Sequence, residues 1–184
     1  MSNRHGRQMP AWPAGRVPTW PGIVPRVSAP KTPATTLLTT QKVAHRLHPY
    51  HVTADTPNYG AVVAQALGVA PERVFKTLVA DVDGALTVAV VPVTGDVDLK
   101  ALAAAAGGKR AAMADRTIAE KTTGYVRGGI SPLGQRKRLP TVVDASATAF
   151  PTVYVSAGRR GLQVELDPAD LIRLTFAVVS PIAG

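Results

Sequence analysis

A chain of 184 residues with 46% hydrophobic residues and no cysteine has room for one globular domain with an appendage, and it leaves out disulfide scaffolds, thiolate metal sites, thiol proteases and thiol redox chemistry. No apolar run approaches the roughly 18 to 20 residues of a membrane helix, because Asp81, Asp83, Asp96, Asp98 and Lys100 interrupt the most hydrophobic region. The net charge of +9 is uneven: residues 1–31 hold five cations, no acid, six of the 16 prolines and both tryptophans, which leaves 16 cations and 12 acids, or +4, elsewhere. A body charge of that size is compatible with an RNA partner without requiring one.

Residues 1–31, Pro-rich and without a helical or strand period, are expected to be disordered, because they cannot bury enough apolar surface to offset chain entropy. They have no continuous apolar segment of a secretory signal. A functionless extension, a transit peptide, an RNA-contacting arm and an upstream start all fit them. Residues 32–184 read as the folded domain.

Thr32-Pro33 predicts the N-cap and first residue of a helix reaching about Arg46, with Leu37, Leu38, Val43 and Leu47 as its apolar positions. A short strand at Tyr50–Thr53 and a helix at Asn58–Leu67, ended by Gly68, follow. Val74–Val82, Asp83-Gly84 and Ala85–Val91 predict a tight antiparallel hairpin, in which Asp81 and Asp83 serve the turn. Helices are expected at Asp98–Ala106 and Ala114–Thr123, a loop at Gly128–Pro140, and strands at Val153–Val155 and Leu162–Leu166. Asp167-Pro168 caps a last helix before a strand at Phe176–Val179. Helices and strands mix without a βαβ repeat, which predicts an α+β domain with a single mixed, mainly antiparallel, barrel-like sheet.

Lys76 stands out among candidate functional residues. Strand alternation puts it with Val74, Leu78 and Ala80 on one face, against Phe75, Thr77 and Val79 on the other, so its ammonium lies beside core material on either side. Such a lysine either snorkels out at an edge or faces a pocket with an anionic ligand. Gly124–Gly134 has four glycines in eleven residues, a backbone able to approach a ligand and aim N–H groups at an oxyanion, or an ordinary surface loop. Ser131 lacks the glycine spacing of a nucleophile elbow and precedes Pro132, which excludes a serine hydrolase. Arg136, Lys137 and Arg138 can hold nucleic-acid phosphates or form a solvated basic turn. His45, His48 and His51 recur every three residues, yet Pro49 breaks any helix joining them and no carboxylate or cysteine completes a metal set.

Five blocks stand in order: Val74-Phe75-Lys76-Thr77-Leu78; Val90-Val91-Pro92-Val93-Thr94-Gly95 with Asp98-Leu99-Lys100; Thr123 to Gln135 with its Gly-Gly-Ile-Ser-Pro-Leu-Gly core; Lys137-Arg138-Leu139-Pro140; and Val153 to Gly158. Together they resemble the YbaK/EbsC family of aminoacyl-tRNA deacylases, the YbaK type within it, from about Thr32 to Phe176. The resemblance implies a cytoplasmic enzyme with the YbaK-like editing fold that hydrolyses mischarged Cys-tRNA(Pro), and Cys-tRNA(Cys) with it, needing no cofactor and no metal. It implies the acceptor end of aminoacylated tRNA as substrate and prolyl-tRNA synthetase as partner, with no membrane. The family's essential lysine falls on Lys76, and its pocket residues on Tyr50, Tyr59, Thr77, Gly128 and Ser156. Gly129 joins Gly128 as an expected oxyanion donor, and Ile130 and Ser131 line the expected substrate pocket. Gln163 departs from the family, standing where YbaK-type members carry Asp, so it can accept a hydrogen bond from a substrate amine but form no salt bridge with it. In the mechanism proposed for the family, the thiol of the esterified cysteine attacks its own carbonyl. The rival readings are a deacylase for another amino acid, such as alanine on tRNA(Pro), and a tRNA-binding module without catalysis.

Overall fold

The computed structural model describes residues 30–53 and 56–184; the tail expected at residues 1–31 lies almost wholly outside the described residues. Helix α1 (Pro33–Thr40) starts as predicted: Thr32 Oγ1 accepts from the Thr35 N–H, and the Thr35 side chain returns the bond to the Thr32 N–H. It ends six residues earlier than the expected Arg46. Gln41 caps it, Lys42 turns into the left-handed region at φ 53°, and the chain leaves as strand β1 (His45–Pro49). Val43 and Leu47, which read as further helical positions, still reach the core, but from a turn and a strand. The strand expected at Tyr50–Thr53 is thus replaced by one upstream, with Pro49 tolerated on a sheet edge.

Helix α2 (Tyr59–Leu67) closes at Gly68 in a left-handed cap. Strands β2 (Phe75–Val82) and β3 (Ala85–Pro92) form the expected hairpin, whose Asp83-Gly84 turn takes positive φ at both residues. Helix α3 (Leu99–Ala105), strand β4 (Ala111–Met113), helix α4 (Arg116–Thr123), strands β5 (Thr141–Asp144), β6 (Val153–Arg159) and β7 (Leu162–Leu166), helix α5 (Pro168–Thr175) and strand β8 (Val178–Ser180) complete the chain. Phe176 is the left-handed cap of α5 and not the first residue of β8.

The α+β class and the mixed, mainly antiparallel pairing are as the sequence indicates. The strands divide between two sheets that do not close into a barrel: β1-β7-β6, wholly antiparallel, and β4-β2-β3-β5-β8, in which the β3/β5 and β5/β8 pairs are parallel. Phe75, Val79, Val88, Val90 and Val143 of the larger sheet pack against Val153, Val155, Leu162, Val164 and Leu166 of the smaller, with α1 and α5 filling the sides through Leu38 and Leu171. Each such buried side chain contributes roughly 1.5–3 kcal/mol. Leu102 of α3 covers the far face of the larger sheet, and Val63 of α2 packs with Tyr154 on the outer face of the smaller one.

The two sheets touch at a parallel bridge between Val74 and Tyr154. From that bridge β2 and β6 run in the same direction and separate, and the gap between them is the site.

Candidate active site

The gap opens into a cleft of about 1470 Å³, far larger than one amino acid requires. Lys76 and Ser156 each lie two residues past the bridge, on β2 and β6, and both line it. Thr77, Gln163 of β7, Tyr59 of α2, Gly128 and Ile130 line it too, so seven residues singled out from the sequence meet in one place. Six do not line it. Tyr50 stands behind Tyr59, the two hydroxyls 2.8 Å apart. Burial, and then the bond to Tyr50, push the Tyr59 hydroxyl well above the usual tyrosine range, keeping it protonated.

Lys76 is the partly exposed cation of the cleft, its Nζ donating to Asp96 Oδ1 at 2.7 Å. That hydrogen bond, with the adjacent charge, holds the Asp96 carboxyl below its ordinary range. Asp96 is itself almost fully exposed, so this pair is screened and an incoming anion or carbonyl can replace the carboxylate. The loop carrying Asp96 is pinned by the chain's last residues: the Asp96 N–H donates to the Gly184 carbonyl, the Gly184 N–H returns the bond, and Gly184 lines the cleft.

Opposite polarity lines the wall. Among the described residues, two buried side-chain oxygens make no hydrogen bond, Thr77 Oγ1 and Gln163 Oε1, and both belong to cleft residues. An orphaned buried acceptor costs about 1–3 kcal/mol, so two in one cleft mark a place built to receive donors. Gln163 is 6% exposed and sits in register between Ser156 and His48. Two residues along the same face, Glu165 meets His48 Nε2 at 2.8 Å, the Thr152 hydroxyl at 2.7 Å and Arg73 at 3.6 Å. Burial raises the Glu165 carboxyl, but the bonds from His48, Thr152 and Tyr154 outweigh it and bring the pKa to about 2. This network fixes the strands behind Gln163, and it gives His48 a structural place.

The Gly-rich loop is held by packing as much as it is shaped for a ligand. The buried Tyr125 hydroxyl donates to the Leu133 carbonyl at 2.7 Å, and burial pushes its pKa up to about 12. Ser131 is fully buried and does not line the cleft; its Oγ accepts from the Leu133 N–H within the loop. Gly129 packs against the backbone of Arg159 and Arg160, where an added Cβ would stand 2.9 Å away, and its N–H donates to the Val126 carbonyl. Of the two glycines, Gly128 lines the cleft, while the Gly129 N–H is already bonded within the loop. Gly128 has φ +84°, and a Cβ there would meet Arg160 Nε at 2.7 Å, so the missing side chain lets the Arg160 guanidinium lie over the loop. Arg136, Lys137 and Arg138 lie outside the cleft: Arg136 donates to the Lys121 carbonyl and Arg138 stacks 3.4 Å from the centre of the exposed Phe176 ring.

Sequence reasoning passed over three arginines that line the cleft. Arg116 pairs with Glu120 at 3.2 Å, while Arg127 and Arg160 form no ion pair with a carboxylate among the described residues. Among the described residues the cleft lining holds more cations than acids, together with two buried side-chain oxygens that make no hydrogen bond.

The sequence profile of the aminoacyl-tRNA editing domain matches residues 53–174. The Enterococcus faecalis protein EbsC, with a proposed assignment as Cys-tRNA(Pro)/Cys-tRNA(Cys) deacylase, is 38% identical over 152 residues, covering 79% of this chain and 88% of that protein. YwhH of Bacillus subtilis, an uncharacterised protein, is 29% identical over 63% of this chain and 74% of its own. A crystal structure described as a proposed trans-editing enzyme for prolyl-tRNA synthetase superposes with a TM-score of 0.74 at 22% identity, over 85% of this chain and 99% of that one, a likeness of fold. The chain belongs to the aminoacyl-tRNA editing domain family and is an aminoacyl-tRNA deacylase.

Proposed function

We propose that the chain clears cysteine from mischarged tRNA(Pro), and from Cys-tRNA(Cys), by using the substrate's own thiol. The observation that carries this reading is the composition of the cleft: Lys76, two unsatisfied buried oxygens and Gly128, with no cysteine in the chain to act as nucleophile. The ammonium of the aminoacyl group donates to Gln163 Oε1 and Thr77 Oγ1, satisfying both. Ser156 positions the cysteine side chain, and Tyr59, backed by Tyr50, walls the pocket.

The sulfur attacks the ester carbonyl, forming a C–S bond; the C–O bond to the terminal ribose breaks, and the freed hydroxyl takes the thiol proton. The β-thiolactone left behind hydrolyses in water to cysteine. Lys76 and the Gly128 N–H stabilise the oxyanion of the tetrahedral intermediate, a kind of contact worth about 10²- to 10³-fold in rate. Selection is chemical, because serine and alanine lack a comparable nucleophile, whereas a pocket that measures one small group gains only about 1–3 kcal/mol. A cleft that reads the amino acid in this way has little hold on tRNA identity, so prolyl-tRNA synthetase supplies it as partner. Arg136, Lys137 and Arg138 hold phosphates farther along the acceptor stem.

The test is deacylation of Cys-tRNA(Pro), Cys-tRNA(Cys), Ala-tRNA(Pro) and Pro-tRNA(Pro) in parallel, with Lys76→Ala as the blank. Loss of cysteine from both tRNAs, sparing alanine and proline, is expected. Release of alanine at a similar rate would replace the thiol with an activated water, and an intact ester after long incubation with every substrate would leave tRNA binding alone.

A further inference from the structure

Among the described residues, six charged ones line the cleft, Lys76, Arg116, Arg127 and Arg160 against Asp96 and Glu120. Both carboxylates are engaged, Asp96 with Lys76 and Glu120 with Arg116, which leaves the charge of Arg127 and Arg160 unmatched by any ion pair among the described residues. The two are built into one unit. Arg160, in the turn between β6 and β7, donates from Nε to the Arg127 carbonyl at 2.8 Å. The Arg127 N–H donates to Glu120 Oε1 at 2.8 Å, which with the Arg116 bond holds the Glu120 carboxyl below its ordinary range. The Arg127 backbone is thus clamped between α4 and the β6–β7 turn, while its guanidinium makes no hydrogen bond among the described residues. Arg160 lines the cleft together with Tyr59 and Glu120, and its charge opposes the rise of the Tyr59 pKa and helps lower that of Glu120.

An arginine fixed at Nε on a backbone carbonyl, with outer nitrogens that make no hydrogen bond among the described residues, lines the same cleft as a second arginine whose guanidinium makes none, and guanidinium forks of this kind recognise phosphate bidentately. We infer that Arg127 and Arg160 seat a phosphodiester of the tRNA 3′ end, the one that joins the terminal adenosine to the preceding cytidine. The inference rests on the proposed function, in which the ester lies at Lys76 and Gln163. The cleft volume accommodates an aminoacyl nucleotide, and Lys76, Gln163, Arg127 and Arg160 all line it, so the amino acid and the next anion of its carrier have room in one cleft. The Arg136–Arg138 run is a poorer seat for this phosphate, since none of the three lines the cleft and two of them are already engaged.

The variant to make is Arg127→Ala, because this guanidinium supports nothing in the fold, with Arg127→Lys as the charge-preserving control. Steady-state deacylation of Cys-tRNA(Pro) across 50 to 250 mM salt is expected to show KM raised about tenfold at low salt with kcat within about twofold. The slope of log(kcat/KM) against log salt should flatten by about 0.7, the loss of one single-strand phosphate contact, and lysine should recover most of it. Binding of the dinucleotide cytidylyl-adenosine, measured by titration, is expected to weaken in Arg127→Ala about as much as KM rises, while binding of adenosine does not. An unchanged salt slope, or equal losses for the dinucleotide and the nucleoside, would overturn the inference. A wild-type protein that binds the dinucleotide through Arg127 but releases no amino acid would instead sink the proposed function and leave the phosphate seat standing.

Discussion

Gln163 and Thr77, which receive the substrate ammonium in the proposed function, come at a cost to the fold. Each hides an oxygen from water without a partner, so replacing Gln163 by leucine removes an orphaned carbonyl from a buried wall. The expected outcome is a protein more stable by about 1 kcal/mol in urea unfolding, with KM for aminoacyl-tRNA raised about tenfold or more. A loss of stability with KM unchanged would mean that the glutamine serves only the fold. Gln163→Asp should bring a charge to the same place and lower KM through a salt bridge to the ammonium, a gain that shrinks as added salt screens it. Lys76 was legible in the sequence as a lysine that alternation sets beside core material. Its partner was not, because Asp96 lies twenty residues away in a loop whose position depends on the pairing of residues 96–98 with 182–184.

At the scale of elements, the Gly-rich loop includes glycines closed in by backbone and one that faces a side chain over the cleft, Gly128. Gly134 has φ +65° and lies so close to the start of α1 that an added Cβ would stand 2.5 Å from the Pro33 carbonyl carbon. Gly134→Ala is expected to destabilise the protein by about 2–4 kcal/mol, measured as the midpoint of urea unfolding, since backbone cannot yield there as a side chain would. Gly128→Ala meets the Arg160 guanidinium instead, which can swing away. Its expected signature is a modest loss of stability and a large loss of kcat/KM. From sequence the whole block carried the resemblance, yet composition could not say which glycine did which task, because the distinction lies in what approaches from elsewhere in the chain. The same limit hid β4 and β5. Ala111–Met113 holds no β-branched residue, and Thr141–Asp144 pairs in parallel with β3 and β8, so neither follows a hairpin turn that would announce it. The helix read as reaching Arg46 failed for a related reason, since Val43 and Leu47 satisfy a helical period and are also buried by a turn and a strand.

For the whole molecule, the junction of the two sheets sets both stability and site. Glu165 ties β7 to His48 of β1, to Thr152 and to Arg73 just ahead of β2. Its folded pKa, about 2, lies below the ordinary value near 4.5, so its stabilisation is fully present above that ordinary value and is lost as pH falls toward 2. Urea unfolding at pH 7, 4.5 and 2.5 should therefore show Glu165→Gln less stable than wild type by about 2–3 kcal/mol at pH 7, with the difference closing toward pH 2.5. A difference that stays constant across that range would assign the loss to packing instead of charge. A protein lacking residues 1–29, the Pro-rich, acid-free segment whose composition offers too little apolar surface to offset chain entropy, is expected to unfold at the same urea concentration as the full chain and to deacylate at the same rate.

The pairing of Gly184 with Asp96 has a practical side. Whatever polypeptide is joined after Gly184 leaves from a residue that lines the cleft, beside the loop that holds Asp96 on Lys76. A purification tag or fluorescent fusion placed there would crowd that ion pair, and the fused protein would pass for a weak enzyme.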